Sequence, residues 1–200
     1  MARISLNAPS TWFTRAARWY ARRTYGTSLQ PAEAALHNRP VALSYAMFEH
    51  GVARWKALDP HLKALAVMAA AQRIGCAWCL DYGFWAFQAQ GTPRATLEAV
   101  PRWREPDVIA SGLFDDTERA VLAYAEAMTG DVAAEVTDEM VADLLHRLGE
   151  PALVELTMMV ALENQRSRFN SALGLTAQGF SDRCQIPDRD GSRREQPASA

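Results

Sequence analysis

Apolar positions recur at three- and four-residue intervals in one segment after another, and no segment sustains a period of two. That rhythm predicts helices throughout. A helix starts near Ser10, carries Trp12, Phe13, Ala16, Ala17, Trp19 and Tyr20 as an apolar stripe, and stops at Gly26. Pro31 suits the first turn of a short helix over Ala32 to His37, and Pro40 starts a longer one from Val41 to about Leu58. Along that one, Leu43, Met47, Phe48, Val52 and Trp55 keep helical spacing. Asp59-Pro60 caps a helix from His61 to Ile74 that is rich in alanine. Small residues let neighbours approach closely, so this helix is expected at the centre. Gly75 interrupts it, and the next helix runs from about Cys76 to Gln90.

Beyond Gly91-Thr92-Pro93 a short helix is expected over Pro93 to Val100, then an irregular stretch at 101–106. Asp115-Asp116-Thr117 caps a helix from Glu118 to Met128, and Thr137-Asp138-Glu139 opens another that ends at Leu148-Gly149. Pro151 starts the last long helix, Ala152 to about Leu173. The predicted fold is all-α: an N-terminal helical extension (1–39), a helical domain (40–180) and a polar, disordered tail (181–200).

Composition narrows the function classes. The chain has 200 residues, 49% of them hydrophobic, and a formal charge of −2. A sizeable core is attainable, and nothing in the charge points to nucleic acid. No apolar run reaches the roughly 18 residues of a membrane span. The first helix, with its basic side (Arg15, Arg18, Arg22, Arg23), reads as an amphipathic helix packed on the body or on a partner subunit rather than as a membrane-surface helix. The N-terminus lacks an apolar signal core. With three cysteines, too few for a disulfide-stapled secreted fold, the expected compartment is the reducing cytoplasm.

Two of those cysteines stand in Gly75-Cys76-Ala77-Trp78-Cys79-Leu80-Asp81-Tyr82-Gly83. Residues three apart on a helix are about 5–6 Å apart, within the roughly 4.4–6.8 Å that a disulfide spans between Cα atoms. If Cys76 opens the helix, the macrodipole favours a thiolate there. A zinc site needs about four ligands. Only Cys76 and Cys79 are at hand, with Cys184 in the tail, so neither metal nor cofactor is expected. The aromatics Trp78, Tyr82, Phe84, Trp85 and Phe87 read first as packing, and second as a pocket for a small hydrophobic substrate. Glu163, Asn164, Arg166 and Asn170 read first as helix-end and inter-subunit hydrogen-bonding groups, and second as site-lining ones.

Leu58-Asp59-Pro60-His61-Leu62-Lys63-Ala64-Leu65, the Gly75–Cys79 centre, Phe114-Asp115-Asp116-Thr117-Glu118 and Asn164-Gln165-Arg166-Ser167-Arg168-Phe169-Asn170 together resemble the carboxymuconolactone decarboxylase superfamily, in particular its alkylhydroperoxidase D-like branch. The resemblance runs from about Pro40 to Gly174 and implies an all-helical homo-oligomer that reduces organic hydroperoxides with its cysteine pair. In that reading Cys79 attacks the peroxide, Cys76 resolves the sulfenic acid to a disulfide, and a dithiol reductant that reaches an exposed Cys76 restores both thiols. The family's usual C-x-x-C-x-x-x-H motif and its relay glutamate fall here on Gly83 and Ala64. Asp81 is the candidate substitute proton acceptor, and Gly83 is expected to leave substrate space beside Cys79. Lactone decarboxylation is unsupported. The alternative is a ligand-binding or redox-sensing protein that kept the scaffold without the relay.

Overall fold

The structure, a computed structural model, describes residues 2–183. Among them the fold is all-α. Two helices lie within the segment expected as an extension. α1 (Trp12–Tyr25) begins with a capping box between Thr11 and Thr14 and ends at Gly26, whose φ of 72° is the left-handed conformation that favours glycine. α2 (Gln30–Ala35) is tied to it by Arg18, which pairs with the buried Glu33 carboxylate at 2.8 Å. The aromatic stripe of α1 does not turn inward: Trp12, Trp19 and Tyr20 are exposed.

α3 (Arg39–Val52) ends six residues before the point the apolar spacing predicts. Two contacts draw the following chain out of helical register. Lys63 Nζ donates to Trp55 O (3.0 Å), and Ala57 N–H donates to the buried Glu155 carboxylate (2.6 Å). These place Leu58 in the main core at 1% exposure. The stripe divides: Val52 is buried with Val67, Met159 and Leu162, and Trp55 packs on them, whereas Met47 is 75% exposed and Leu43 and Phe48 also reach solvent.

α4 (Pro60–Ile74) is the central element, as its alanines predict. Residues Ala64 to Ala71 are all buried, because a helix apolar on every side must be enclosed. It packs between α8 (Asp116–Thr129) and α11 (Glu150–Ala172), with α5 (Ala77–Ala89) crossing its C-terminal end. Leu65, Val121, Leu122, Leu156 and Val160 fill the space between them, closed below by Leu144 of α10 (Asp138–Leu148). Among the described residues three short helices complete the set: α6 (Arg94–Ala99), α7 (Pro106–Ser111) and α9 (Val132–Glu135). The apolar pattern does not predict α7 or α9, since neither exceeds two turns and neither buries a continuous face.

Of the tail expected over 181–200, residues Ser181–Arg183 form a 3-10 turn. Ser181 is held there by Asp81, described below. The rest of the tail, with Cys184, lies outside the described residues.

Candidate functional site

Gly75 ends α4 with φ 76°, and Cys76 N–H turns back to Ala71 O, so the chain reverses directly into α5. Cys76 becomes the N-cap of α5, where its Sγ accepts the backbone N–H of Cys79 at 3.2 Å. The Cα atoms of Cys76 and Cys79 are 5.3 Å apart and the sulfurs are joined as a disulfide. The pair thus occupies a helix N-terminus, where unpaired N–H groups favour negative charge.

Both cysteines are buried, Cys76 at 1% and Cys79 at 6% exposure. The exposed Cys76 that the sequence reading requires is therefore not found. Its cluster draws on both ends of the described residues. Leu175 and Phe180 share its cluster, and Ala2, Leu6 and Leu29 pack on it from the N-terminal side. Arg3 N–H donates to Leu173 O (2.7 Å), clamping one end on the other. The aromatics of α5 serve the same closure. Trp78 stacks on Tyr82 at 5.0 Å, and Phe180 meets Trp78, Tyr82 and Trp85.

Asp81 anchors this segment. Its carboxylate accepts the N–H groups of Gln178 (2.7 Å), Phe180 (3.1 Å) and Ser181 (2.8 Å), and the Ser181 hydroxyl (2.8 Å). Burial acts to raise its pKa, but these bonds outweigh it and hold the carboxyl below its ordinary value. All four contacts lead to the C-terminal segment and none to a sulfur. Gln178 extends the latch, its Oε1 accepting Trp78 Nε1–H (2.7 Å) and Gln30 N–H (2.9 Å).

Gly83 does not leave substrate space. A Cβ there would stand 2.8 Å from Met68 Sδ and 3.5 Å from the Phe87 ring. The glycine is what lets α5 cross α4 closely. Ala64 is fully buried in the same core. His61 bonds Glu118 (2.6 Å) at the end of α4 remote from the cysteines.

The polar surroundings of the disulfide come instead from α11. Ser167 Oγ and Asn170 Nδ2 each lie 3.3 Å from Cys79 Sγ. Ser167 Oγ is also 2.8 Å from Glu163 Oε1. Glu163 is buried, and burial pushes its pKa up to about 7 against the pull of Arg166 and Ser167. Arg166, 3.5 Å from Glu163, forms a two-pronged ion pair with Glu49 of α3. Asn164 turns to Thr129 instead (2.9 Å). Ser167 is the residue the sequence reading misses. The signal was the i, i+4, i+7 spacing of Glu163, Ser167 and Asn170, which puts three polar groups on one face of a buried helix.

Beyond Arg166 a groove of about 420 Å³ runs between α3 and α11, lined by Val41, Tyr45, Phe48 and Phe169 among others; its lining includes neither cysteine. Among the described residues no helix is long and apolar enough to cross a membrane, and no cluster of side chains fits a metal ion.

Residues 40–127 match the model of the carboxymuconolactone decarboxylase family. The uncharacterized protein YnjA of Escherichia coli K12 is 33% identical over 177 residues, which cover 86% of this chain and 90% of YnjA. Among solved structures, the debrominase Bmp8 in complex with 2,3,4-tribromopyrrole superposes with a TM-score of 0.74 at 17% identity, over 91% of this chain and 96% of that one. An uncharacterized peroxidase-related protein from Silicibacter sp. TM1040 gives 0.74 at 14% identity, over 90% and 94%. The family match and the likeness to YnjA show that the chain belongs to the carboxymuconolactone decarboxylase family, and the solved structures share its all-α fold.

Proposed function

We propose that the protein is a thiol-dependent peroxidase in which Cys79 attacks an organic hydroperoxide and Cys76 resolves the product. The observation that carries this reading is the asymmetry of the pair. Ser167 and Asn170 both aim at Cys79 Sγ, where two hydrogen-bond donors stabilise a thiolate. Cys79 thiolate takes the distal oxygen of the peroxide: an S–O bond forms, the O–O bond breaks, and the alkoxide leaves to be protonated to an alcohol. Sulfur is oxidised by two electrons to the sulfenic acid. Cys76 then attacks Cys79 Sγ, the S–S bond forms, and the departing hydroxide leaves as water with the proton of Cys76. A dithiol reductant returns both thiols and is itself oxidised to a disulfide. Asn170 Oδ1 is buried and has no hydrogen-bond partner among the described residues. It is an acceptor beside the sulfur for the O–H of a hydroperoxide. Asp81, held as a low-pKa anchor, positions the covering segment in this scheme and takes no proton from sulfur.

The test is a pair of variants treated with cumene hydroperoxide and a sulfenic-acid trap, read by peptide mass spectrometry. Cys76→Ser accumulates label at Cys79, and Cys79→Ser stays unlabelled. The reverse pattern exchanges the roles. No label in either variant favours the alternative, a ligand-binding or redox-sensing protein, for which the burial of Cys76 is the supporting observation.

A further inference from the structure

The reaction above needs a place for the proton of Cys79, and the positions where the resemblance puts a relay, Gly83 and Ala64, are filled by apolar packing. We propose that Glu163, acting through the Ser167 hydroxyl, holds that proton, so that the relay of this chain is carried by α11 instead of by α4 and α5. The inference rests on the reading of Cys79 as the attacking thiol.

The wiring follows from the single hydrogen of Ser167. Its Oγ is within hydrogen-bond distance of both Glu163 Oε1 (2.8 Å) and Cys79 Sγ (3.3 Å), but it can donate to one at a time. When Glu163 is ionised, the hydroxyl donates to the carboxylate and accepts from the Cys79 thiol. When Glu163 is protonated, it donates to Ser167, and Ser167 donates to the Cys79 thiolate. The two arrangements hold the same number of protons and differ by a shift along two hydrogen bonds. As the thiolate forms, Cys79 S–H passes its proton to Ser167 Oγ, which passes its own to Glu163 Oε1. After the O–O bond breaks, the proton returns along the same path and neutralises the alkoxide. No proton enters or leaves the site in this half of the cycle.

The surroundings keep Glu163 poised. Arg166 on the same helix is committed to Glu49 of α3 through two hydrogen bonds and stands off at 3.5 Å from Glu163. Glu49 and Tyr45 of α3 also face this cluster. From α5 the facing groups are the cysteines and Tyr82. Lys63 of α4 is taken by Glu155, two turns down α11, and α8 offers the Thr129 hydroxyl to Asn164. Burial, acting against the pull of the neighbouring Arg166, leaves the Glu163 carboxyl with a pKa of about 7, close to the pH at which it must exchange protons.

The experiment follows iodoacetamide alkylation of Cys79 against pH in the reduced full-length chain, in a Cys76→Ser background, with the Cys79 peptide read by mass spectrometry. Two coupled groups titrate as a pair, so the rate rises in two steps. Glu163→Gln leaves one step. Ser167→Ala slows the reaction near neutral pH by about tenfold, the factor of one pKa unit, and Ser167→Thr, which keeps the hydroxyl, restores it. A Glu163→Gln profile that superimposes on its parent overturns the proposal, as does a Ser167→Ala variant that reacts at the parent rate. Alkylation uses no peroxide. A two-step profile in a protein that peroxide leaves unoxidised therefore refutes the peroxidase reading and spares the relay.

Discussion

Asp81 stands two residues beyond Cys79, yet its carboxylate turns away and gathers four donors from residues 178–181. Sequence proximity to a thiol is thus a poor guide to chemistry on a helix, where neighbours two apart point to different sides. Hydrogen bonds to a charged acceptor contribute about 1.5–3 kcal/mol each at most. In Asp81→Asn, the amide exchange of Phe180 and Ser181 accelerates by about ten- to a hundredfold, each 1.4 kcal/mol of lost closure being about a factor of ten. Exchange unchanged from the parent would mean the carboxylate does not hold the segment. The pH dependence has a fixed sign. Because the folded pKa is depressed, this closure is fully present above the unfolded value of about 3.9 and is lost as pH falls through the lower folded one.

At the scale of elements, caps were legible and helix ends that depend on distant contacts were not. Asp59, Asp115 and Thr137 all accept the backbone hydrogen bonds that their sequence context predicts. The end of α3 was hidden because Lys63 of the next helix and Glu155, far along the chain, hold the residues after it. Of the site, the cysteine pair and its helix N-terminus could be read from spacing. Ser167 shows in the sequence only as one of three polar groups on a face with Glu163 and Asn170; its role beside the sulfur depends on α11 meeting α5 face on. Gly83 was misread as open space for the same reason: the residue that fills it, Met68, belongs to another helix. Gly83→His, the substitution that rebuilds the family motif, should destabilise the protein by about 1–3 kcal/mol through overpacking. Chemical denaturation measures it. A histidine accommodated without a shift in midpoint would show that α4 and α5 can separate freely.

For the molecule as a whole, the exposed apolar faces point to assembly. Met47, Leu43 and Phe48 on α3, and Trp12 and Trp19 on α1, are uncovered within the chain. Leu43, Met47 and Phe48 fall within about one turn on α3, and exposed apolar surface gathered in this way marks interaction sites. We propose that copies of this chain cover each other there. Sedimentation at micromolar concentration then gives at least twice the chain mass, and Met47→Glu lowers it. A clean monomer for the parent protein removes the proposal.

The covering of Cys76 by both ends of the described residues has a temporal consequence. On the peroxidase reading, the oxidant is small and the donor that undoes its work is bulky, so the two meet different thresholds for entry. Reversal by a protein dithiol waits for the segments that cover the buried pair to lift. The lifetime of the oxidised state is then set by the strength of a carboxylate latch rather than by sulfur chemistry, and the molecule retains a record of its last encounter with peroxide. In Asp81→Asn that record fades faster toward a protein reductant than toward a small one such as dithiothreitol; equal acceleration by both would place the delay at the sulfurs themselves.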